Sequence, residues 1–597
     1  MSSKNKSKKK TGKTEKTGKN AGQQNSTAPQ NSALSREAIE ALLVAILLAL
    51  LFRGFEAEAF IIPTGSMAPT LSGRHKDVYC PQCEYQYRVG AAQESPLDPI
   101  VSATCPMCRF RMEMDPKNAN HSSFNGDRIL VNKYVYQFTD PKRWDVIVFK
   151  CPSNPKQNYI KRLVGLPNEE LKVVGGDVYA KADGETQYKK LRKPAKKLPY
   201  IMHEVHDTRH IPDQLIKVGW PSRWQDRSPS NAEQAWSVSE DQNECALAAS
   251  TDTQWLGYRH LAPTDKEWVE VNQGRLPASA MQRQGSLITD FYEYNSARYT
   301  RPRPNAGKDS WHWVGDLACE AIVDIDSSKS DGSGTLSLRL VEGGLDHVFE
   351  IDVETGVATI TIEGGQLPFD SVDGQSAGIE TLTANTPIKG SGSYRLMWAN
   401  VDDQLILWVN RKQITFEAAG KPHSGNFTTT PLLTPRWTPE DDGDLTPIAI
   451  GGKGLGLKVR NLRVLRDAYY AAVSHRGQSG SGEYKSTFGH KTVQDVFASH
   501  QAWGTTPLFE SRNEVFFDLG ADEFFPMGDN SPFSLDARLW SQQTTSLFLE
   551  EGISVEPNVK REMLIGKAFL VYWPHTWNPG KQRLPIFPNL DRMGFIR

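Results

Sequence analysis

The sequence predicts a mainly β protein with a single N-terminal transmembrane helix and an inserted β-sandwich. Two observations predict it: an apolar run lies between Glu40 and Arg53, and apolar and polar residues alternate strictly through much of residues 286–467, with Gly-rich turns between the runs. At 597 residues the chain is too long for one hydrophobic core, so several folded units are expected.

The overall charge argues against nucleic acid as a partner. Lys and Arg total 69 and Asp and Glu total 70, so the formal net charge is -1 and there is no global basic field. Seven cysteines are too few for a disulfide-built scaffold. Three of them, Cys151, Cys245 and Cys319, are scattered, and we interpret them as small buried hydrophobic residues.

Residues 1–34 carry eight Lys against one Glu, with mostly small polar residues besides, so this tail is expected to be disordered. Residues 35–55 form the predicted transmembrane helix. Its uncharged centre, 41–52, has only 12 residues, but Glu40 and Arg53 can snorkel and lengthen the usable span. The Lys-rich tail then belongs in the cytoplasm, and the chain after Arg53 is exported.

A cleaved signal peptide is the alternative interpretation of the same region. Ala57, Glu58 and Ala59 follow the apolar run as a small-x-small cleavage site would. The long basic tail is unusual for a signal peptide and favours the anchor.

Four further segments occur in a fixed order behind this anchor. They are FIIPTGSMAPTL at 60–71, GDRILVNKYVY at 126–136, RWDVIVFK with YIKRLVGLPNEE between 143 and 170, and FFPMGDNSPFSLDARLW at 524–540. Together they resemble the signature of the bacterial type I signal peptidases, over about a third of the chain. The resemblance implies an all-β peptidase core built from discontinuous segments, on the outer face of the bacterial cytoplasmic membrane.

The resemblance also implies the catalytic roles. Ser66 would be the nucleophile and Lys161 the general base, while the Ser66 backbone N–H and the Thr64 hydroxyl would form the oxyanion hole. Ser534 matches the serine that orients the lysine amine. The implied reaction is cleavage of signal peptides after small residues, in the pattern Ala-x-Ala, without a cofactor.

The residues make chemical sense without the family. A serine hydroxyl needs a base, and no His/Asp pair accompanies these motifs. A lysine can serve only if burial lowers its pKa enough to leave a useful neutral fraction. In a strand, Tyr159, Lys161 and Leu163 share one face, so Lys161 is expected to have apolar neighbours.

Four charged residues match family positions that brace the site, and we expect structural salt bridges among them: Arg162, Asp529, Asp536 and Arg538. The segment departs from the commoner family pattern by having Ser531, Pro532 and Phe533 in its middle. Five apolar residues match the shallow subsites that hold the small substrate side chains: Phe60, Ile62, Met67, Leu71 and Ile160. A plain core role is the alternative for Phe60 and Leu71.

Two CxxC pairs are spaced as C-x2-C-x21-C-x2-C, from Cys80 and Cys83 to Cys105 and Cys108. This spacing predicts a small zinc-ribbon-like module in which four thiolates hold a structural zinc. Two disulfides remain the alternative, because an exported domain folds in an oxidising compartment. Either way the role is structural, since four protein thiols leave no open position for catalysis.

The predicted sandwich, 286–467, resembles the concanavalin-like, laminin-G-type jelly rolls, chiefly through residues 394–414. Such a module can bind envelope glycan or only present a surface. The predicted organisation is therefore a tail (1–34), a transmembrane helix (35–55), core segments (56–77, 121–180 and 511–597), a zinc-ribbon-like insertion (78–120), an unassigned insertion (181–285), the jelly roll (286–467) and a connector (468–510).

The predicted partners are signal-peptide-bearing preproteins and membrane lipid, with envelope glycan as a further candidate. Two rival functions stay open. One is a related Ser/Lys protease, such as a repressor-type autoprotease, against which the membrane segment counts. The other is a catalytically inactive envelope protein that binds glycan or mediates adhesion on a peptidase-like scaffold.

Overall fold

The computed structural model describes residues 37–47, 57–118, 121–228, 234–291, 294–300, 312–328, 334–371, 378–473, 483–484, 493–531, 534–540, 556–574 and 589–596. The chain divides into two units, the second of which begins at Ala57. Strands dominate the second unit, which confirms the predicted mainly β class.

The first unit contains one described helix, α1, at residues 37–47. Its apolar side chains are exposed, among them Ile39, Leu42 and Leu47. Among the described residues, no helix combines the length and the apolar character needed to cross a bilayer. The rest of the predicted transmembrane segment 35–55 and the whole predicted tail 1–34 lie outside the described residues.

The second unit begins with elements that precede the large insertion. These are β1 (Ala57–Ile61), β2 (His75–Tyr79), β3 (Gln86–Gly90), β4 (Ile100–Thr104), β5 (Arg111–Glu113), β6 (Arg128–Asn132), α2 (Val135–Phe138), β7 (Val146–Cys151), β8 (Asn154–Gly165), β9 (Glu169–Val174), β10 (Asp177–Ala182) and β11 (Lys189–Lys190).

The insertion follows. Its elements are α3 (Leu198–Ile201), β12 (His203–Asp207), α4 (Asp213–Lys217), β13 (Trp224–Asp226), β14 (Trp236–Val238), β15 (Glu244–Leu247), β16 (Gln254–Tyr258), α5 (Asp265–Val271), α6 (Ala278–Gln282), β17 (Ala297–Arg298), β18 (Leu317–Asp326), β19 (Thr335–Glu342), β20 (Leu345–Asp352), β21 (Val357–Ile362), β22 (Thr381–Asn385), β23 (Gly392–Asn400), β24 (Leu405–Val409), β25 (Lys412–Gln413), β26 (Phe416–Ala418), β27 (Lys421–His423), β28 (Ile448–Lys453) and β29 (Gly456–Arg466).

The closing part contains α7 (Val493–Ala498), α8 (His500–Trp503), β30 (Val515–Asp518), β31 (Glu523–Met527), α9 (Ala537–Trp540), β32 (Val559–Lys560), β33 (Leu564–Trp573) and β34 (Gly594–Phe595). Short 3-10 turns occur at Gly65–Met67, Thr208–His210, Glu363–Gly365, Gly443–Leu445, Arg561–Met563 and Leu590–Arg592.

The core sheet joins strands from both sides of the insertion. Its order is β1-β6-β33-β7-β8-β31-β32, with β34 on β33, and its pairs are antiparallel. β33 lies between β6 and β7, and β31 pairs with β8, so the closing segment completes a sheet that residues 57–165 begin. A smaller sheet, β11-β10-β9-β30, is completed in the same way by β30. This is the arrangement expected for a core of discontinuous segments.

The insertion forms two stacked sheets around a common apolar core. One has the order β14-β15-β29-β18-β23-β24-β25 with β12 on β29, and the other has the order β13-β16-β28-β19-β20-β21-β22-β26-β27. The alternation seen in the sequence becomes alternating burial: in β22, Leu382 and Ala384 are buried while their neighbours are exposed.

The sandwich starts earlier than the predicted boundary at residue 286. Strands β12 and β15 pair with β29, and β16 pairs with β28, so they belong to its two sheets. β13 and β14 join the same sheets through β16 and β15. The partners of β15 and β16 lie about 200 residues further along the chain, and the strands are short, so the local sequence shows no clear periodicity there.

The predicted zinc-ribbon-like insertion, 78–120, contains most of a hairpin, β2-β3, which begins at His75, and two strands of a three-stranded sheet, β17-β4-β5. The third strand, β17, comes from residues 297–298. Leu215 of α4 and Trp268 and Val271 of α5 pack into the same apolar cluster as the four cysteines of the insertion. Residues 181–285, for which the sequence predicted no fold, therefore contribute both to the sandwich and to this module. Helices α7 and α8, in the predicted connector, pack against Leu287 and Trp313.

Candidate active site

The turn that carries Ser66 follows directly from the edge strand β1. A 3-10 turn spans Gly65–Met67 and buries Ser66, which is 7% exposed. Two glycines make room for this backbone: a Cβ on Gly73 would lie 2.0 Å from the Thr64 carbonyl carbon, and one on Gly126 would lie 2.0 Å from the Ile62 oxygen. The turn is thus held by close backbone packing that a side chain at either glycine would disrupt.

Lys161 reaches Ser66 from strand β8. Its amine, on a side chain that is 4% exposed overall, lies 2.7 Å from Ser66 Oγ and 3.1 Å from the Ile160 carbonyl oxygen. The Tyr159 ring lies 5.5 Å from Lys161 Nζ, on the face that the strand period predicts. The structure therefore brings together the two residues on which the sequence interpretation depends.

Burial sets the protonation of this lysine. Desolvation lowers the pKa of Lys161 to about 8, although the negative charges of Asp536 and Asp529 partly oppose that shift. A free lysine amine titrates near 10.4, so a far larger share of Lys161 is neutral near neutral pH than of an exposed lysine.

Thr64 stands at the open side of the turn. Its side chain is exposed, and its Oγ1 lies 3.5 Å from Ser66 Oγ. A hydroxyl at this position can turn towards a group that approaches Ser66 from solvent.

Ser534 lies in the same region but does not contact Lys161 through a hydrogen bond. It is 2% exposed, and its Oγ has no hydrogen-bond partner among the described residues. A Cβ on Gly528 would lie 2.2 Å from Ser534 Oγ and 2.5 Å from the Ser66 carbonyl oxygen, which locates Ser534 beside the Ser66 backbone. Its role as the group that orients Lys161 stays a prediction.

Two buried ion pairs brace the site. Arg162 Nε and Nη2 donate to the two Asp529 carboxylate oxygens at 2.6 and 2.7 Å, and Thr70 Oγ1 donates to Asp529 at 2.5 Å. Arg162 and Asp529 are 1% and 3% exposed, so the pair is desolvated and each partner depends on the other.

The second pair is local. Asp536 accepts from Arg538 Nε and Nη2, both at 2.9 Å, and from the Gly528 N–H at 3.0 Å. Ser531, one of the residues that departs from the family pattern, accepts from Arg538 at 2.9 Å. Ser531, which departs from the family pattern, therefore supplies an acceptor for Arg538. Pro532 and Phe533 lie outside the described residues.

Asn530 is a site residue that the sequence interpretation missed. Its N–H donates to the Ser66 carbonyl at 3.1 Å, and its Nδ2 donates to the Gly65 carbonyl at 3.0 Å. These two bonds attach the closing motif to the Ser66 turn. The available signal was its position next to Asp529 in the GDN motif.

The five predicted subsite residues belong to or pack against one apolar cluster but differ in exposure. Phe60 is half-buried and packs against the apolar cluster that contains Ile62, Met67, Leu71 and Ile160, which are 2%, 0%, 0% and 9% exposed. The cluster is completed by residues of β6, β7 and β33. Ile62, Met67 and Leu71 are therefore core residues of this cluster, and their role as substrate subsites stays a prediction.

The four CxxC cysteines converge. Their sulfurs all lie within 4.8 Å of one another, with Cys80 to Cys108 at 3.5 Å and Cys83 to Cys105 at 3.7 Å. Four sulfurs around a tetrahedral zinc at about 2.3 Å would be about 3.8 Å apart, whereas a disulfide needs about 2.05 Å. The cysteines are unbridged throughout the described chain, so the cluster fits a metal better than disulfides.

Comparison with known proteins indicates a peptidase. The family model described as "Signal peptidase, peptidase S26" matches residues 100–241, a segment that contains Lys161 but not Ser66. A probable signal peptidase I-1 of Synechocystis sp. is 27% identical over 228 residues, which is 37% of this chain and 83% of the relative.

Other matches are shorter. A signal peptidase I of Pseudomonas fluorescens is 46% identical over 59 residues, which is 8% of this chain and 21% of the relative. Among solved structures, the galectin LEC-6 of Caenorhabditis elegans matches 25% of this chain and 83% of its own at 12% identity, with a TM-score of 0.15. A TM-score this low carries no information about the fold or the ligands of this protein. The sequence comparisons support a peptidase similar to the signal peptidases of the S26 family.

Proposed function

We propose that this protein is a type I signal peptidase, a serine endopeptidase in which Ser66 is the nucleophile and Lys161 the general base. The observation that carries the proposal is the 2.7 Å contact between Lys161 Nζ and Ser66 Oγ in a buried setting. With a pKa of about 8, about a fifth of Lys161 is neutral at pH 7.4, against about a thousandth for an exposed lysine.

The proposed reaction begins when neutral Lys161 accepts the Ser66 hydroxyl proton and Ser66 Oγ attacks the scissile carbonyl carbon. The Ser66 N–H and the Thr64 hydroxyl donate to the oxyanion of the tetrahedral intermediate. The Lys161 ammonium then protonates the leaving amine, and an acyl-enzyme on Ser66 remains. Lys161, neutral again, next takes a proton from a water molecule, whose oxygen attacks the ester carbonyl carbon. As the bond between that carbon and Ser66 Oγ breaks, the Lys161 ammonium returns the proton to Ser66 Oγ and the carboxylic acid product leaves.

Ser534 has a role in this proposal as an acceptor for the Lys161 amine. Its unpaired, buried hydroxyl beside the Ser66 backbone supports that role. Catalytic hydrogen bonds often form or tighten only in the substrate complex, and the bond between Ser534 and Lys161 is expected to form there.

The proposed substrates are preproteins with small residues, typically Ala, before the cleavage site. Ile62, Met67 and Leu71 are almost fully buried, so Phe60 and Ile160 are the members with more access to solvent. The apolar cluster that the five residues share offers no charge to a substrate side chain. Its tight packing suits a small side chain better than a large one.

The proposed location is the bacterial cytoplasmic membrane, with the N-terminus in the cytoplasm and the catalytic unit outside. The Lys-rich tail and the apolar residues between Glu40 and Arg53 support this topology. Membrane lipid is then a partner of the N-terminal segment. Envelope glycan as a partner of the sandwich has no support beyond the sequence resemblance.

We also propose that Cys80, Cys83, Cys105 and Cys108 hold a structural zinc. When bound, zinc would crosslink the two CxxC turns and stabilise the module. The catalytic proposal requires no cofactor.

The dyad is tested by substitution. Ser66→Ala and Lys161→Ala should each reduce cleavage of a synthetic Ala-x-Ala signal peptide by the detergent-solubilised protein at least 1,000-fold, and the double variant should be no worse, because the two residues act as a unit. Lys161→Arg should be equally inactive, since a guanidinium does not deprotonate in proteins. Initial rates on the peptide provide the measurement.

Lys150→Ala serves as the control, because Lys150 lies on the neighbouring strand β7 and makes no contact with Ser66. This variant should keep wild-type turnover. Substantial activity in any of the Ser66 or Lys161 variants would remove the dyad assignment.

A further inference from the structure

One side chain of the large insertion lies against the backbone of the Ser66 turn. Tyr294 is 6% exposed, and a Cβ on Gly65 would lie 2.5 Å from its ring atom Cδ1 and 2.7 Å from Cε1. Tyr294 also packs with Ala68 in a small apolar cluster. Its ring therefore touches the residue before Ser66 and lies beside the second residue after it.

The segment that carries Tyr294 is attached to the four-cysteine module, which we define as strands β2 to β5 with Cys80, Cys83, Cys105 and Cys108. The Tyr294 N–H donates to the Arg88 carbonyl of β3 at 2.8 Å. The Asn295 side chain accepts from the Thr104 N–H at 2.7 Å and donates to the Thr104 carbonyl at 2.8 Å. Two residues further on, β17 pairs with β4.

A second set of contacts, made by His75, links the four-cysteine module to the Ser66 turn. The His75 ring of β2 lies 6.2 Å from the Tyr294 ring, and His75 Nδ1 is 2.6 Å from the Gly73 carbonyl oxygen. Gly73 is the residue whose backbone packs on Thr64. Tyr294 thus lies at a junction between the module and both ends of the catalytic turn.

We propose that Tyr294 is a positioning residue for the Ser66 turn, held in place by the four-cysteine module, so that catalysis depends on inserted elements outside the core sheet. This inference rests on the proposed peptidase function. A flat ring can pack on a backbone only where no Cβ intervenes, and Gly65 provides that surface. A shift of about 1 Å in a reacting atom can reduce turnover about 100-fold, so support of the turn has a measurable effect.

The test compares Tyr294→Ala with Tyr294→Phe in the full-length, detergent-solubilised protein. Loss of the ring should lower kcat on the Ala-x-Ala peptide about 10-fold to 100-fold, because the Ser66 turn shifts out of position. KM should change less than about threefold, because the residues that contact the substrate are unchanged. Tyr294→Phe keeps the ring and should retain kcat within about twofold of wild type.

Tyr179→Ala is the matched control, because Tyr179 is also 6% exposed but lies on β10 of the smaller sheet. It should leave kcat unchanged even where it lowers the melting temperature. Asn295→Leu should reproduce part of the Tyr294→Ala defect, and the double variant should be no worse than Tyr294→Ala alone.

Hydrogen exchange supplies a readout that does not depend on substrate. Peptides covering residues 60–71 should exchange faster in Tyr294→Ala and at the wild-type rate in Tyr294→Phe and Tyr179→Ala. Unchanged exchange and unchanged kcat in Tyr294→Ala would overturn the positioning role, as would an equal loss in Tyr179→Ala. Failure of the wild-type protein to cleave the peptide would instead overturn the proposed function, and the exchange data would still decide the role of Tyr294.

Discussion

At the scale of single residues, the main feature is a lysine kept in a place that disfavours its charge. Lowering the pKa of Lys161 from 10.5 to about 8 corresponds to about 3 kcal/mol of preference for the neutral amine. Because the folded-state pKa lies below the unfolded value, this group destabilises the fold below about pH 8, and the penalty is relieved as pH rises towards 10.5. In the proposed mechanism this cost in folding stability is what makes the Lys161 amine available as a base.

The same pKa predicts how activity depends on pH. Only neutral Lys161 can accept the Ser66 proton, so kcat/KM should rise through an acid limb with an apparent pKa near 8. Between pH 7 and pH 9 the neutral fraction, and with it kcat/KM, should increase about tenfold. Initial rates on the Ala-x-Ala peptide across pH 6 to 10 provide the measurement.

The pH profile needs a control for general effects of pH on folding. Circular dichroism over the same range should show that the protein remains folded, so that the limb reports ionisation. A flat profile, or an acid limb near pH 6.5 typical of histidine, would contradict a lysine base.

At the scale of elements, the two CxxC turns have the same local structure. In each, the residue after the second cysteine is left-handed, with φ of 57° at Glu84 and 63° at Arg109. Its N–H donates to the carbonyl of the first cysteine, at 2.9 Å to Cys80 and 3.0 Å to Cys105. Two matching turns that face each other suit a tetrahedral metal, because each turn offers a pair of sulfurs.

The zinc proposal is tested by metal content. The protein purified without chelators should contain about one zinc per chain, and replacement by Co2+ should give the thiolate charge-transfer absorption of a four-sulfur site. Cys105→Ser should lose the metal and lower the melting temperature. Metal analysis and absorption spectra are readouts independent of peptide cleavage.

Cys245→Ser is the control for this experiment, because Cys245 is an equally buried cysteine in the sandwich. It should keep the full zinc content. A metal-free protein in which thiol counting finds only three free cysteines would indicate two disulfides and contradict the zinc site.

At the scale of the whole molecule, the inserted parts are interleaved rather than consecutive. From β12 onward the chain alternates between the sandwich and the four-cysteine module: strands β13 to β16 join the sandwich, α5 and β17 contact the module, and β18 returns to the sandwich. Deleting a long stretch of this region therefore removes parts of both the sandwich and the four-cysteine module.

This interleaving predicts the outcome of a deletion. Replacing residues 286–467 with a short flexible linker would leave β12, β15 and β16 without their partners β28 and β29 and would remove Tyr294. Exposed strand edges promote aggregation, so the shortened protein should be aggregated or inactive on even the short peptide. Size-exclusion chromatography and initial rates, measured beside the wild-type protein, test this.

A monodisperse deletion protein with wild-type kcat would contradict both the interleaving argument and the role of Tyr294. A soluble, folded but slow deletion protein would instead agree with a supporting role for the insertion.

The sequence by itself determined which residues are candidates for the proposed chemistry. Ser66, Lys161, the four cysteines and the acidic and basic residues of the closing motif each have a distinctive residue type within a short contiguous pattern, and the strand period gave Lys161 its aromatic neighbour Tyr159. Alternation also predicted the long strands of the sandwich, because every second side chain of a strand points to the same, buried face.

Only the tertiary structure decided which residues meet. It paired Arg162 with Asp529 and Asp536 with Arg538, and it brought Asn530 to the carbonyls of Gly65 and Ser66 across 465 positions. It also brought Tyr294 against Gly65 and joined strands of residues 203–258 to the sandwich. For the ion pairs, the residue types indicate that charges will pair but not which partner each one takes. In the other contacts the partner is a backbone carbonyl, a glycine or a distant short strand, and no residue type or period in the local sequence indicates such a partner.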